Sequence, residues 1–274
     1  MFLKDVQSRP AQGMMGIAFG KLREAGRAVP EILHLFRFKT RSTDHLVRFT
    51  DEVMRGPSPL SRGMRELIGA FLSRRNQCGF CSCAHAPVAA ELLGKDLVEE
   101  VLRDPETSRL DPAHKALFRY IAKLAANPAD VTAADIDGLK RAGWSDEAIY
   151  DALTVAALFK FYNTWNNGSG VQNMTTADYA HSGDRLIKMG YCMDFSFLGI
   201  LKVVWVGRHE ISFADLIRLV KMWLGGSGRP PSSLSSLSPA ATAVECGNHT
   251  PGAGQACAVG RPETANRVGA PTSA

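Results

Sequence analysis

Between Gln77 and His85 the chain reads QCGFCSCAH, which places three of its six cysteines within six consecutive positions and a histidine four residues past the second of them. Residues in this pattern serve three chemistries: a metal knuckle, a structural disulfide, or a redox pair. Cys78 and Cys81 have the C-x-x-C spacing. If a helix opens near Cys78, both thiols lie in its first turn, where unpaired backbone N–H groups favour thiolate over thiol. An offset of three residues sets both sulfurs on one helix face, and His85, four residues after Cys81, shares that face. Cys83 points elsewhere and is expected to be a buried small hydrophobe.

A carboxylate stands upstream. Glu66 sits inside the apolar stretch RGMRELIGAF. If the chain reverses near Gln77 and the two helices pack antiparallel, Glu66 lies roughly 16 Å from the turn, His85 roughly 12 Å and Cys81 about 6 Å, at the helical rise of ~1.5 Å per residue. Glu66 and His85 are then nearly level, in a groove that runs Cys78, Cys81, His85, Glu66. That order makes a proton relay, with the carboxylate orienting the imidazole and the imidazole taking the proton of Cys81. Without the motif, Glu66 reads as a carboxylate paired with Arg62 or Arg65.

The elements that must hold these residues are helical. No run of period-2 alternation stands out, and KVVWV at 202–206 lies inside a longer apolar segment. Residues 1–29 read as a loosely tethered arm, and Pro30–Phe38 and Asp44–Met54 as short helices. After the breaker GPSPLS, Ser61 caps a helix to about Asn76 with Met64, Leu67, Ile68, Phe71 and Leu72 as its apolar stripe. A second helix runs from near Cys78 to Gly94, with Pro87 inside it and a kink expected there. Asp111–Pro112 opens another helix that stops before Pro128, and a short one closes at Gly143. Ser145 caps a long helix that is apolar on nearly every face from Ala152 to Leu158, so it is expected to be the buried central helix. TTADYAHSGDRLIKMGY adds one more. Residues 191–224 hold additional amphipathic helices whose apolar side chains need a partner surface. Residues 225–274 are rich in Gly, Pro, Ser, Ala and Thr and are expected to be disordered; Cys246, His249 and Cys257 fall there.

Glu66, eleven intervening residues, Cys78-Gly-Phe-Cys81, three more and His85 together resemble the signature of the alkylhydroperoxidase D-like branch of the carboxymuconolactone decarboxylase superfamily, in particular its peroxidase-related members. The resemblance covers roughly residues 30–190. It implies an all-α, AhpD-like helical bundle that is oligomeric and cofactor-free, a thiol peroxidase in which Cys81 attacks the peroxide and Cys78 resolves the sulfenic acid as a disulfide. His85 and Glu66 are then the relay, a hydroperoxide the substrate, and a dithiol or a reductase the electron donor. The family's further histidine, directly before the second cysteine, is Phe80 here.

Composition narrows the rivals. The 274 residues are 45% hydrophobic with a net charge of +5, enough for one sizeable core and without the concentrated basic stripe that nucleic acid would require. The first residues do not read as a signal peptide, and no apolar run approaches the ~18 residues that span a bilayer. A cytoplasmic protein without membrane association is expected, and in a reducing compartment clustered cysteines serve catalysis or metal binding more often than structure. Zinc held by Cys78, Cys81 and His85 is the alternative from another class, though a fourth ligand is wanting. A decarboxylase-like member of the same superfamily is a further alternative. A thioredoxin-like enzyme is disfavoured because no βαβ context surrounds the pair.

Overall fold

In this computed structural model the residues described are 1–191 and the single position 217, and every regular element among them is helical. The helices are α1 (Lys4–Ser8), α2 (Gly13–Glu24), α3 (Ile32–Phe38), α4 (Thr40–Arg55), α5 (Arg62–Arg75), α6 (Gly79–Leu93), α7 (Lys95–Arg103), α8 (Pro112–Ala126), α9 (Ala133–Arg141), α10 (Asp146–Ser169) and α11 (Thr176–Met189). The amphipathic pieces expected within 191–224 and the tail 225–274 lie outside the described residues, Tyr191 and position 217 apart.

Local chemistry sets the boundaries. The side chains of Ser61, Asp111, Ser145 and Thr175 accept hydrogen bonds from the third residue onward, Met64, His114, Ala148 and Asp178, and so open α5, α8, α10 and α11. Pro112 follows its cap at the position where a missing N–H costs nothing. Thr132 and Asp135 form a reciprocal capping box at α9. Between α5 and α6 the chain reverses through Gln77, whose φ of 55° is the one left-handed non-glycine among the described residues. The antiparallel α5–α6 hairpin expected from the sequence is thereby formed.

That hairpin is the centre of the molecule. Residues 63–73 of α5 are all buried, Glu66 among them. The core joins Leu67, Ile68, Phe71 and Leu72 of α5 to Val88 and Ala89 of α6, Leu117, Phe118 and Ile121 of α8, and Val155, Ala156 and Phe159 of α10. Side chains of this size contribute about 1.5–3 kcal/mol each when fully buried. Gly69 sets how closely α5 and α10 approach, since a β-carbon there would stand 2.4 Å from Phe159 Cζ.

Two expectations about elements need correction. Residues 1–29 are not a loose arm: α1 and α2 fold back, Phe2 N donates to the Ser169 carbonyl at 2.8 Å, and Phe19 is buried with its ring edge-on to His34 at 5.2 Å. And α10 is not buried all round. Ala152, Val155, Ala156 and Phe159 face the core, while Tyr150, Leu153 and Phe161 remain exposed along the other side. Among the described residues no helix is long and apolar enough to cross a membrane.

Candidate active site

Glu66 is fully enclosed, so its charge has to be met by neighbours. Its Oε2 accepts from His85 Nδ1 at 2.7 Å, and its Oε1 accepts from Arg55 Nη2 at 2.5 Å. The Tyr191 hydroxyl completes the set, 2.9 and 3.1 Å from the two carboxylate oxygens and 3.1 Å from His85 Nδ1. Burial alone would raise the Glu66 carboxyl, but the bonds from His85 and Arg55 outweigh it and hold the group below its ordinary value. Burial and the adjacent Glu66 push the Tyr191 phenol well up, so it stays neutral and donates.

This arrangement assigns the histidine tautomer. An ionised carboxylate only accepts, so the proton sits on Nδ1 and a neutral imidazole carries its lone pair on Nε2. Phe159 meets the imidazole edge-on at 4.7 Å, and Tyr191 stacks on it at 6.0 Å with 13° between the rings. The ring is thus fixed by one carboxylate and two aromatic neighbours. Gly190, at φ 79°, makes the turn that brings Tyr191 in; there the Tyr191 N–H donates to Asp51 Oδ1 at 2.7 Å.

Cys78 is the residue that precedes α6, and Cys81 stands in its first turn. Both are reduced and almost completely enclosed. The Cys78 thiol is drawn down to about 7, chiefly by the Cys81 thiol; burial opposes the shift, and the Cys81 backbone N–H and the Asn166 amide assist it. The Cys81 thiol is correspondingly pushed up, by its bond to Cys78 and by burial. Asn166, buried on α10, donates from Nδ2 to Cys81 Sγ at 3.0 Å, and its Oδ1 is buried without a partner. One turn earlier on α10, buried Asn163 accepts from Ser73 Oγ at 2.9 Å and leaves its Nδ2 unpartnered.

The four residues singled out from the sequence thus fall into two linked pairs. Glu66 bonds to His85, and the free thiols of Cys78 and Cys81 are neighbours at the start of α6. Among the described residues no hydrogen bond joins the imidazole to either sulfur. Arg62 and Arg65 are not the partners of Glu66: Arg65 turns away to the carbonyls of Val53 and Gly56, at 2.8 and 3.0 Å. Cys83 is exposed, not buried. It shares its face with Pro87, also exposed, and α6 runs through that proline without a break. The carbonyl that Pro87 leaves without its helical N–H partner belongs to Cys83, an exposed residue, and His85 still reaches Glu66. Phe80 is buried and tilts against Tyr179 at 6.0 Å. No group of three His, Cys, Asp or Glu side chains among the described residues is placed to hold a metal ion. Arg55, Tyr191 and Asn166 were not foreseen.

No family model and no curated protein sequence matches the chain. Among solved structures it is similar to an uncharacterized peroxidase-related protein from Silicibacter sp. TM1040, with 24% identity and a TM-score of 0.55 over 64% of this chain and 91% of that one. It is also similar to an alkylhydroperoxidase AhpD core structure, an uncharacterized peroxidase-related protein from Ralstonia eutropha JMP134, with 22% identity and a TM-score of 0.52 over 60% of this chain and 86% of that one. The fold is therefore the AhpD-like helical fold that the motif implied.

Proposed function

We propose that this chain is a thiol-dependent peroxidase that reduces hydroperoxides with Cys78 and Cys81, with His85 and Glu66 handling the proton. The observation that carries the reading is the fully buried Glu66 holding the Nδ1–H of His85 one helical turn past the cysteine pair. The AhpD-like fold of the peroxidase-related neighbours supports it.

In the first step the proton of Cys81 passes to His85 Nε2, directly or through the bound peroxide. The thiolate attacks the terminal peroxide oxygen; the S–O bond forms, the O–O bond breaks, and the leaving alkoxide takes the proton back from the imidazole. In the second step the Cys78 thiolate attacks the sulfenic sulfur, forming the disulfide and releasing hydroxide, which is protonated to water. The pair has then given two electrons to the peroxide, and an external dithiol restores both thiols by exchange. Asn166, whose Nδ2 donates to Cys81 Sγ at 3.0 Å, helps to hold the sulfur in place. Glu66 stays ionised throughout and orients the imidazole.

A second reading exchanges the two cysteines, and one feature favours it: the Cys78 thiol is the one that its neighbour Cys81 draws down, to about 7. Sulfenic-acid trapping in single serine variants separates the two. Under the first reading Cys81→Ser abolishes turnover, and Cys78→Ser leaves a thiol that is trapped as sulfenic acid and then over-oxidises. Sulfenic acid on Cys78 in Cys81→Ser reverses the roles. A purified protein that consumes no hydroperoxide with dithiothreitol and carries stoichiometric zinc refutes the peroxidase. A homo-oligomer belongs to this reading, and Tyr150, Leu153 and Phe161 on α10 are exposed apolar side chains that a second copy would cover.

A further inference from the structure

Cys78 and Cys81 are 1% and 2% exposed, so a hydroperoxide or a dithiol reaches neither sulfur unless something moves. Helices α5, α10 and α11 pack against α6, and to shift any of them would open the core. The cover at the first turn of α6 is of another kind. There the chain between α10 and α11, Val171–Thr175, has no regular structure. The Asn173 carboxamide lies on Gly79, where a β-carbon would stand 3.1 Å from its Oδ1. Val171 and Met174 pack on the cluster that contains Cys78, Phe80 and Cys81.

This strap is held by polar bonds more than by burial. The Gln172 N–H donates to Glu31 Oε2 at 2.8 Å, and Gln7 Nε2 and the Met1 amino group donate to the same carboxylate. Burial raises the Glu31 carboxyl, but these donors outweigh it and hold the group below its ordinary value. On the inner side Tyr179, whose ring tilts against Phe80, donates from its hydroxyl to Asn173 Oδ1 at 3.3 Å. Gln172, Asn173 and Thr175 are exposed, and Val171 and Met174 are only half-buried. Segments with few buried apolar contacts open at the low end of a protein's range of local stability. Both ends of the strap suit a hinge: Gly170 has a φ of 69°, in the region that glycine enters freely, and Thr175 is the cap from which α11 starts.

We propose that Val171–Thr175 is a gate over the cysteine pair. It swings about Gly170 and Thr175, releasing Gln172 from Glu31 and Asn173 from Gly79, and admits first the peroxide and then the dithiol to the sulfurs. Helix α6 and the Glu66–His85 pair stay in place. The purpose of the gate rests on the peroxidase reading, but the gate belongs to the fold and is tested without turnover.

The test is alkylation of the reduced full chain by iodoacetamide, resolved to single cysteines by tandem mass spectrometry. Exposed Cys83 is the reference within the same stretch. Cys78 and Cys81 are expected to react about ten-fold or more slowly than Cys83, because only the open fraction reacts. Glu31→Gln is isosteric and sets an amide against three donors; it is expected to speed both enclosed thiols by about ten-fold, the worth of a hydrogen bond to a charged group. Asn173→Ala removes an exposed side chain and is expected to speed them about two- to ten-fold, the worth of a neutral bond. Cys83 should not change in either. Leu139→Ala truncates a buried side chain of α9 and leaves every bond of the strap intact; it is expected to lower the melting midpoint without speeding Cys78 or Cys81. Enclosed thiols that react as fast as Cys83 in wild type, or at wild-type rates in both strap variants, overturn the gate. So does equal acceleration by Leu139→Ala, which would mean that the thiols are reached by global unfolding. The expected pattern of rates in a protein that consumes no hydroperoxide leaves the gate standing and removes the peroxidase.

Discussion

The Glu66 carboxylate takes hydrogen bonds from a histidine, an arginine and a tyrosine, and each reports on a different property of the site. Glu66→Gln and His85→Gln each remove part of one proton path, so each is expected to slow thiol oxidation by ~10²–10⁴-fold. The double variant is expected to lose little more than the worse single one, because both act through the same imidazole; stopped-flow oxidation of the reduced protein measures it, and clean multiplication of the two losses leaves Glu66 merely structural. Arg55→Ala is a different case. It strands a buried negative charge and is expected to cost about 3–5 kcal/mol in chemical denaturation, far more than Glu66→Gln. Asn166→Ala removes the donor to Cys81; a hydrogen bond to a charged sulfur is worth about 1.5–3 kcal/mol, hence a slowing of roughly ten- to hundred-fold if Cys81 is the thiolate that reacts. The pH dependence has a definite sign. The folded Cys78 thiol titrates at about 7, below its ordinary 9.0, so the stabilisation it gives is complete above the ordinary value and is lost as pH falls through about 7. Ultraviolet absorbance of thiolate in the reduced protein should rise with that midpoint and vanish in Cys78→Ser. Glu66 and His85 could be read from spacing because their relation depends only on helical rise within one hairpin. Arg55 and Tyr191 could not, since their approach depends on how α4 crosses α5 and on a left-handed turn at Gly190. Asn166 was hidden in NTWNN, which has the look of a helix end.

At the scale of the element, the caps were the legible part. Ser61, Asp111 and Ser145 each open the helix that their position before an apolar run announces. The faces were less legible. A run such as Ala152–Leu158 satisfies burial on any side, and only the position of α5 selects Val155, Ala156 and Phe159 over Leu153. Cys83 was misjudged for a related reason: small thiols favour interiors in general, yet Pro87 one turn later needs the solvent side for the carbonyl it strands. The contact between Gly69 and Phe159 links packing to the imidazole, since the same phenyl ring touches His85. Gly69→Ala must displace that ring. It is expected to cost about 1–3 kcal/mol by overpacking and to slow thiol oxidation as well, whereas Gly168→Ala, where a β-carbon meets nothing, should do neither. Thermal unfolding and oxidation rates on the two variants decide it.

For the molecule as a whole, the first thirty residues change the account most. Glycines at 13, 16 and 20 and the basic residues around them give this stretch the look of an arm, yet α2 carries Met15, Ile17, Phe19 and Leu22. The structure puts Phe19 at 2% exposure and ties Phe2 to the end of α10, the helix that carries Asn166. Phe19→Ala is accordingly expected to cost about 3–5 kcal/mol, a loss that denaturant titration would register and that an arm in solvent would not produce.

The place of Cys78 just outside α6 governs what oxidation does to the rest of the protein. Its backbone, at φ −94° and ψ 89°, is not helical, and Gln77 beside it already occupies a turn conformation. The movement that closes the disulfide can therefore be taken up by rotation at these two positions, while Cys81 keeps its bonds to the turns that follow. Under the proposed peroxidase reading, the redox cycle is a hinge event at the mouth of a helix, not the winding and unwinding of one. Amide hydrogen exchange should then be alike in the two redox states from Val88 to Leu93 and differ around Gln77–Phe80, and an oxidised form whose α6 amides exchange freely would show that the strain travels instead down the helix to His85.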